Sequence, residues 1–429
     1  MPSSRNNQID GKKQSRQDWD DGAASIKNTR PALLCFSHLR WDFVHQRPQH
    51  LLSRSASDRR VFFVEEPIFD NGAMRLDLSE RRGGLQVVVP HLPQGLHSDV
   101  AVTAILKQMM QRLLQHNGIT EYVCWYYTPM AVSFTSDLEP LAVIYDCMDE
   151  LSAFKGAPSN LGELEQQLFK KADLVFTGGQ SLFESKRPHH HSVYAFPSSI
   201  DREHFMTARN MTVDPDEQKD IPHPRLGFFG VIDERLDVEL LDAIARARPE
   251  WHFIMLGPVA KIDPGTLPRR LNIHYLGKRN YQELPTYIAG WDVALLLFAQ
   301  NEATRFISPT KTPEYLAAGK RVISTPIVDV MRPYGELGLV NIAATPAEFI
   351  EEIEKALSAK TDGDDWLRRV DGFLSSSSWD ETWALMSRLI DETVDRNQQL
   401  RRAVRVPAGH KSSVPVAGTF VRSAPESSA

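Results

Sequence analysis

The stretch Ser308-Pro309-Thr310-Lys311-Thr312-Pro313-Glu314-Tyr315-Leu316-Ala317-Ala318-Gly319-Lys320-Arg321-Val322-Ile323-Ser324-Thr325 decides how the chain reads. It runs as a loop, a short helix, a glycine stop and a buried strand. Pro313 suits the first helical position, with Thr312 as N-cap. Leu316, Ala317 and Ala318 favour helix, Gly319 ends it, and Arg321 to Thr325 has the composition of a strand in a parallel sheet. A helix that begins after a polar loop points unpaired N–H groups at that loop and favours an anion there, and Lys311 adds a full positive charge. Glu314, inside the first turn, would repel a phosphate at contact, so it must face another part of a ligand. Its two acceptor oxygens suit a vicinal diol such as a ribose. Phosphate donors with a diol acceptor one turn away describe a nucleoside-diphosphate site. An ordinary strand–helix connection with a surface lysine and a dipole-favoured glutamate would use the same residues, and this stretch alone does not separate the two.

Outward from it, the second half alternates strand and helix. Strands are expected at Leu226–Phe229, His252–Leu256, Ile273–Tyr275, Val293–Leu297, Val322–Ser324 and Leu339–Ile342. Helices are expected at Leu236–Arg248, Tyr281–Ala289, Pro313–Ala318 and Pro346–Leu357. The first half repeats the pattern, with strands at Ala32–Phe36, Val61–Glu65, Leu85–Val89, Tyr122–Tyr127, Ala142–Tyr145, Asp173–Thr177 and Val193–Phe196, and helices at Pro48–Ala56, Val102–Leu114 and Leu161–Ala172. Such alternation is that of parallel sheets wound on both faces. Residues 207–224, with Pro215, Pro222, Pro224 and the four acidic residues Asp214, Asp216, Glu217 and Asp220 in a short span, lose the pattern and read as a linker. The expected division is a polar disordered tail at 1–30, an α/β domain at 31–206, the linker, a second α/β domain at 225–370, a terminal helix at 371–398 and a second disordered tail at 399–429. Arg401, Arg402 and Arg405 read first as a solvated basic patch, and second as a contact for an anionic membrane surface.

With 429 residues the chain can bury two full cores, and 42% hydrophobic and 24% charged residues are ordinary for a globular protein. A net charge of −6 argues against a dedicated nucleic-acid binder. Cys35, Cys124 and Cys147 stand apart within apolar runs and suit small core residues in a reducing compartment. The sequence has neither an apolar run of membrane-spanning length nor the apolar core of a signal peptide at its start.

The pattern Pro-x-Lys-x-x-Glu-Tyr-Leu-Ala-x-Gly-Lys-x-Val-x-Ser-Thr over residues 309–325 resembles the donor-site motif of the group-one glycosyltransferases with the GT-B fold. That resemblance implies two Rossmann-like domains facing a cleft, with the acceptor on the first, the nucleotide sugar on the second, and the terminal helix crossing back to the first. It implies that Glu314 holds the ribose. Many members carry an earlier glutamate in a Glu-x7-Glu pattern. Here that position is Phe306, with Glu302 out of register, so the half of the motif that touches the donor sugar is broken.

Gly230 and Arg235, after the first strand of the second half, occupy a place where such enzymes carry a diphosphate-binding loop. Gly230 lets backbone approach a phosphate, and Arg235 would pair with one beside Lys311. The resemblance adds Gly277 and its neighbours Leu276 and Lys278 beside the base, and Ser308, Thr310 and Thr312 around the phosphates. It implies a leaving group held by cations without a metal, and retention of configuration, though the broken glutamate pattern leaves inversion open. In the first half, His38, Arg40, His45 and Arg47 follow a strand end, where ligands bind in such sheets, and are the candidate acceptor contacts. Asp149, then Asp146, are the candidate catalytic bases in Asp146-Cys147-Met148-Asp149-Glu150, together with Arg235 and Lys311 as electrostatic catalysts. A plain charged loop with a helix cap fits that acidic run equally well. Neither His45 with His50 nor this Asp-x-x-Asp spacing makes a convincing metal site.

The function expected is transfer of a sugar from a nucleotide diphosphate sugar to a hydroxyl of a sugar or lipid-linked sugar, in cell-surface polysaccharide or glycolipid synthesis. It would act in the cytoplasm or at the inner membrane face, with no cofactor beyond that substrate. A nucleotide-sugar epimerase of the same fold and a non-catalytic nucleotide-sugar-binding module are the alternatives.

Overall fold

The computed structural model describes residues 30–359 and 363–405. Of the tails expected at 1–30 and 399–429, residues 1–29 and 406–429 lie outside the described residues. Fifteen strands in two sheets organise the rest.

The first domain holds β1 (Ala32–Phe36), β2 (Val61–Val64), β3 (Ile68–Asp70), β4 (Arg75–Glu80), β5 (Gln86–Pro93), β6 (Tyr122–Tyr126), β7 (Ala142–Cys147), β8 (Leu174–Thr177) and β9 (Val193–Ala195). They lie in the order β3-β5-β2-β1-β6-β7-β8-β9, with β4 antiparallel on β5. The central strands read as unbroken apolar runs because both faces are covered. In β1, Leu34 and Phe36 enter one core with Leu106, Met109, Met110 and Leu113 of the helix Asp99–His116. Leu33 and Cys35 enter the opposite core with Leu51 and Leu52 of the helix Arg47–Ser55. That second core also takes Trp379, Trp383, Met386, Ile390 and Val394 from the long helix Trp379–Arg405. Their spacing of three to four residues puts them on one stripe, so the chain's last helix packs on its first domain. The helix runs on through the residues expected to begin the second tail, and Arg401 donates to the Pro140 carbonyl at 2.6 Å.

The second domain holds β10 (Arg225–Phe229), β11 (His252–Leu256), β12 (Ile273–Gly277), β13 (Val293–Leu296), β14 (Arg321–Ser324) and β15 (Asn341–Ile342), all parallel, in the order β12-β11-β10-β13-β14-β15. The order reverses between β10 and β13, and a crevice at such a reversal is where doubly wound sheets take ligands.

Two sequence expectations change. The short strands β3 and β4 were not foreseen: Arg75-Leu76-Asp77-Leu78-Ser79-Glu80 is mostly exposed, and a half-wet edge strand lacks the apolar run of its buried neighbours. The segment read as a linker is folded onto the second domain. Buried Arg225 needs acceptors, and Asp214 supplies one at 2.6 Å. Gln218, fully buried, accepts from Trp291 Nε1 at 3.0 Å and donates to the Tyr287 carbonyl at 3.0 Å.

Candidate active site between the two domains

The carboxyl ends of β1, β7, β10 and β11 face one another across a cavity of about 420 Å³, with walls from both domains. The second domain contributes the helix Lys311–Ala317. It begins two residues earlier than expected, at Lys311, with no side-chain cap. Pro313 still falls in the first turn, where its missing N–H has no intrahelical partner to lose. The earlier start places Lys311 and Glu314 three apart within one helix, hence on one face, and both line the cavity. Thr312, between them, points away and is enclosed, its hydroxyl without a partner.

Two glycines make room for this arrangement. Gly230 and Gly257 hold φ of 142° and 143°, which side-chain-bearing residues avoid. A Cβ on Gly257 would stand 1.8 Å from the Gly230 carbonyl oxygen, and one on Gly230 would stand 2.2 Å from Lys311 Cε. The space at Gly230 is therefore filled by the stem of Lys311, which runs over the loop into the cavity. Its ammonium lies 5.7 Å and 5.6 Å from the ring centres of Phe228 and Phe298. Burial and the nearby Arg235 push its pKa down, while Glu314 opposes the shift. Glu314 is 4% exposed and its Oε2 has no hydrogen-bond partner. Burial pushes its carboxyl well up against the pull of Lys311. A buried acceptor without a donor is costly, and it marks a place where a ligand hydroxyl is wanted.

Arg235 also lines the cavity, held by buried Asp233 through Nε at 3.0 Å and Nη2 at 2.7 Å. Its guanidinium and the ammonium of Lys261 lie 5.5 Å and 5.2 Å from the ring centre of Phe154 of the first domain. Phe154 thus reaches across the gap and touches both cations. Of the other donor-side candidates, Ser308 and Thr310 line the cavity, whereas Gly277 does not. Gly277 closes β12 by accepting from Gly257 N–H at 2.8 Å, and the following Lys278, Arg279 and Tyr281 line the cavity instead.

On the first domain, Asp149 faces the cavity. Burial raises its pKa, opposed by Arg235 and Lys261. Asp146 does not face it. Fully buried, it takes a fork of bonds from Arg47, with Nε at 3.0 Å and Nη2 at 2.9 Å. Arg47 spends its remaining reach on the Phe196 carbonyl at 2.8 Å. A carboxylate sealed this way has no access to a substrate proton, so the role of base expected for Asp146 is replaced by that of a clamp beneath the cleft. Arg47, expected to contact the acceptor, is the other half of that clamp, although it borders the cavity. Arg40 is likewise committed, to Glu65 at 2.9 Å and to the Glu66 carbonyl at 2.7 Å. His38 lies off the cavity, its Nδ1 buried without a partner, and burial lowers its pKa to about 4. His45 does border the cavity, its ring stacked 4.3 Å from that of Tyr281.

Several residues that shape the site were not singled out from the sequence. Tyr281 follows the end of β12, so the strand-end rule that picked His45 would have reached it. Asp329 offered no signal. It accepts from Gln180 N–H at 2.9 Å and Ser181 N–H at 3.0 Å, joining the second domain to the first. Ser198 Oγ donates to the Ser308 carbonyl at 2.7 Å beside it. Phe306, in the broken glutamate position, packs against the core of the first domain.

No protein-family model matches the chain. A curated relative, the putative teichuronic acid biosynthesis glycosyltransferase TuaH of Bacillus subtilis strain 168, is 25% identical over 329 residues, 72% of this chain and 78% of its own. Among solved structures, sucrose-phosphate synthase of Thermosynechococcus elongatus superposes with a TM-score of 0.64 at 14% identity, covering 87% of this chain and all of its own. Anabaena HepE, solved with UDP and glucose, gives 0.58 at 13% identity over 84% of this chain and 99% of its own. An Escherichia coli trehalose-6-phosphate structure with UDP-2-fluoro glucose gives 0.60 at 10% identity, over 85% and 99% of the two chains. At these identities the structures show the architecture, two facing α/β domains as in GT-B glycosyltransferases. The sequence relative shows that the chain is similar to a glycosyltransferase.

Proposed function

We propose that the protein transfers a glycosyl group from a nucleotide diphosphate sugar, bound by the second domain, to a hydroxyl of a sugar or lipid-linked sugar presented by the first. The observation that carries this reading is the pair Lys311 and Glu314 on one helix face, both turned into the cavity between the domains, with Glu314 Oε2 unsatisfied. Lys311 and Arg235 would neutralise the charge that grows on the departing diphosphate. Their low-dielectric surroundings strengthen that effect, and we assign them the part a metal plays in other transferases. Glu314 would take the ribose. Ser308 and Thr310 would take phosphate oxygens, and Lys278 would lie beside the base.

Asp149 is the group of the first domain placed to receive the acceptor proton, and His45 borders the same space. Retention of configuration is the outcome we expect from the motif. The name of the Bacillus subtilis relative supports a role in cell-surface polysaccharide synthesis. Among the described residues no helix is long and apolar enough to cross a membrane. The three free, buried cysteines fit a reducing cytoplasm, where we place the reaction, with the inner membrane face as the site of a lipid-linked acceptor.

The experiment is turnover of labelled uridine, guanosine, adenosine and thymidine diphosphate sugars with a panel of sugar and lipid-linked acceptors. Release of nucleoside diphosphate together with a glycosylated acceptor is expected, with the anomeric configuration read by NMR. An isomerised nucleotide sugar formed without acceptor would overturn the assignment in favour of epimerisation, and tight nucleotide binding with no turnover on any pair would leave a binding module.

A further inference from the structure

Tyr281 opens the helical segment that ends at Ala289, directly after β12. Its ring is clamped on both faces, 4.3 Å from the ring of His45 of the first domain and 4.7 Å from that of His204, with Phe205 edge-on at 5.6 Å. His204 is itself fixed by a 3.1 Å contact from Nε2 to the Tyr281 carbonyl. So tight a sandwich leaves the phenol little freedom to turn. Yet the hydroxyl at its tip is buried and has no hydrogen-bond partner, although Tyr281 borders the cavity. Among the described residues, Glu314 Oε2 is the other buried polar atom on a cavity-lining side chain left in that condition. Burial first, and then the Glu314 carboxylate, keep the phenol protonated, so it remains a donor as well as an acceptor.

A buried group that lacks a partner in the free protein, and that packing prevents from turning to water, is matched by a ligand that brings the partner. One hydroxyl satisfies one orphan. Two orphans on neighbouring side chains, one a carboxylate and one a phenol, ask for two hydroxyls on adjacent carbons. We infer that Tyr281 and Glu314 together read both hydroxyls of the donor's ribose, so that the site takes ribonucleotide sugars and rejects 2′-deoxyribonucleotide sugars such as those of thymidine. This rests on the donor-site reading above and narrows it. A 2′-deoxyribose would leave one of the two groups buried and unpaired in the complex as well. A site built around a hydroxyl discriminates strongly against the analogue that lacks it, whereas a merely roomy apolar site does not.

The test uses matched pairs that differ only at the 2′ position: UDP with 2′-deoxy-UDP, GDP with 2′-deoxy-GDP, and ADP with 2′-deoxy-ADP. Each is titrated calorimetrically into the full chain. For the base that binds, the 2′-deoxy form should bind about tenfold to a hundredfold more weakly, the range set by one buried polar group left unpaired. Tyr281→Phe keeps the stacked ring, so its thermal unfolding should match that of the unmodified chain. It should lower the affinity of the ribo form and collapse the ratio towards one, with the 2′-deoxy form little changed. Equal affinity for the two members of a binding pair in the unmodified chain overturns the inference and leaves the donor site standing. So does a ratio that survives Tyr281→Phe. Failure of every nucleotide to bind removes the donor site itself, and this inference with it.

Discussion

Replacing Glu314 by glutamine should move stability and nucleotide affinity in opposite directions. In the free protein the carboxylate is buried with one oxygen unsatisfied. Its pKa in the folded chain is raised, chiefly by burial. A carboxyl whose folded pKa exceeds its unfolded value binds more protons in the folded state between the two. Stability is therefore lost as pH rises through that window, and the loss is complete at pH above the folded value. Glu314→Gln removes this term, so the variant should be more stable than the parent near pH 8, and the difference should shrink as pH falls towards 4.5. Nucleotide binding should weaken. A hydrogen bond to a charged acceptor contributes about 1.5–3 kcal/mol and a neutral one about 0.5–1.5 kcal/mol, so the one ribose bond taken by Glu314 loses about 1 kcal/mol. That is about fivefold in Kd. Thermal unfolding of both proteins from pH 4.5 to 8.5 reads the first effect, and calorimetric titration with the nucleoside diphosphate that binds reads the second. A variant less stable at every pH would mean that Glu314 is a structural residue satisfied within the fold, and an unchanged Kd would mean that no ribose meets it.

Asp149→Asn should reduce turnover by about a hundredfold or more, the scale of a lost general base, with nucleotide affinity unchanged. Because burial raises the Asp149 pKa, the parent's rate should fall as pH drops through that raised value, and the limb should vanish in the variant. Asp329→Ala removes the acceptor for Gln180 and Ser181 N–H across the domain junction. Solution scattering should then show a larger radius of gyration, with second-domain nucleotide binding kept. Gly179→Ala, whose Cβ would fall 2.0 Å from Asp329 Oδ2, should do the same, and an unchanged radius in both would show that the junction is held elsewhere. Arg47→Met leaves Asp146 charged and unpaired in the core, which should cost about 3–5 kcal/mol in urea unfolding. A loss below about 1 kcal/mol would show that water reaches Asp146, and would restore it as a candidate base.

The sequence by itself carried the parts of this protein that depend on local pattern. Apolar runs covered on both faces announced the buried parallel strands β1, β2, β6, β7, β8, β10, β11, β13 and β14, and the motif at 309–325 announced the helix that carries Lys311 and Glu314. Edge strands β3 and β4 escaped because half-exposed strands lose the apolar signature. Side-chain commitments escaped for a different reason. Nothing local distinguishes Asp146 from Asp149, three residues on, until the fold brings Arg47 from 99 positions away to lock the first and leave the second open. Arg40 and Arg47 look alike in the chain, and only their carboxylate partners show that neither is free for a ligand. The junction that makes the cleft, through Asp329 and Gln180, Ser198 and Ser308, and Phe154 and Arg235, joins residues some 80 to 150 positions apart. Hydrogen bonds and ring contacts act over a few ångströms, so contacts of that separation exist only once both domains have folded and met.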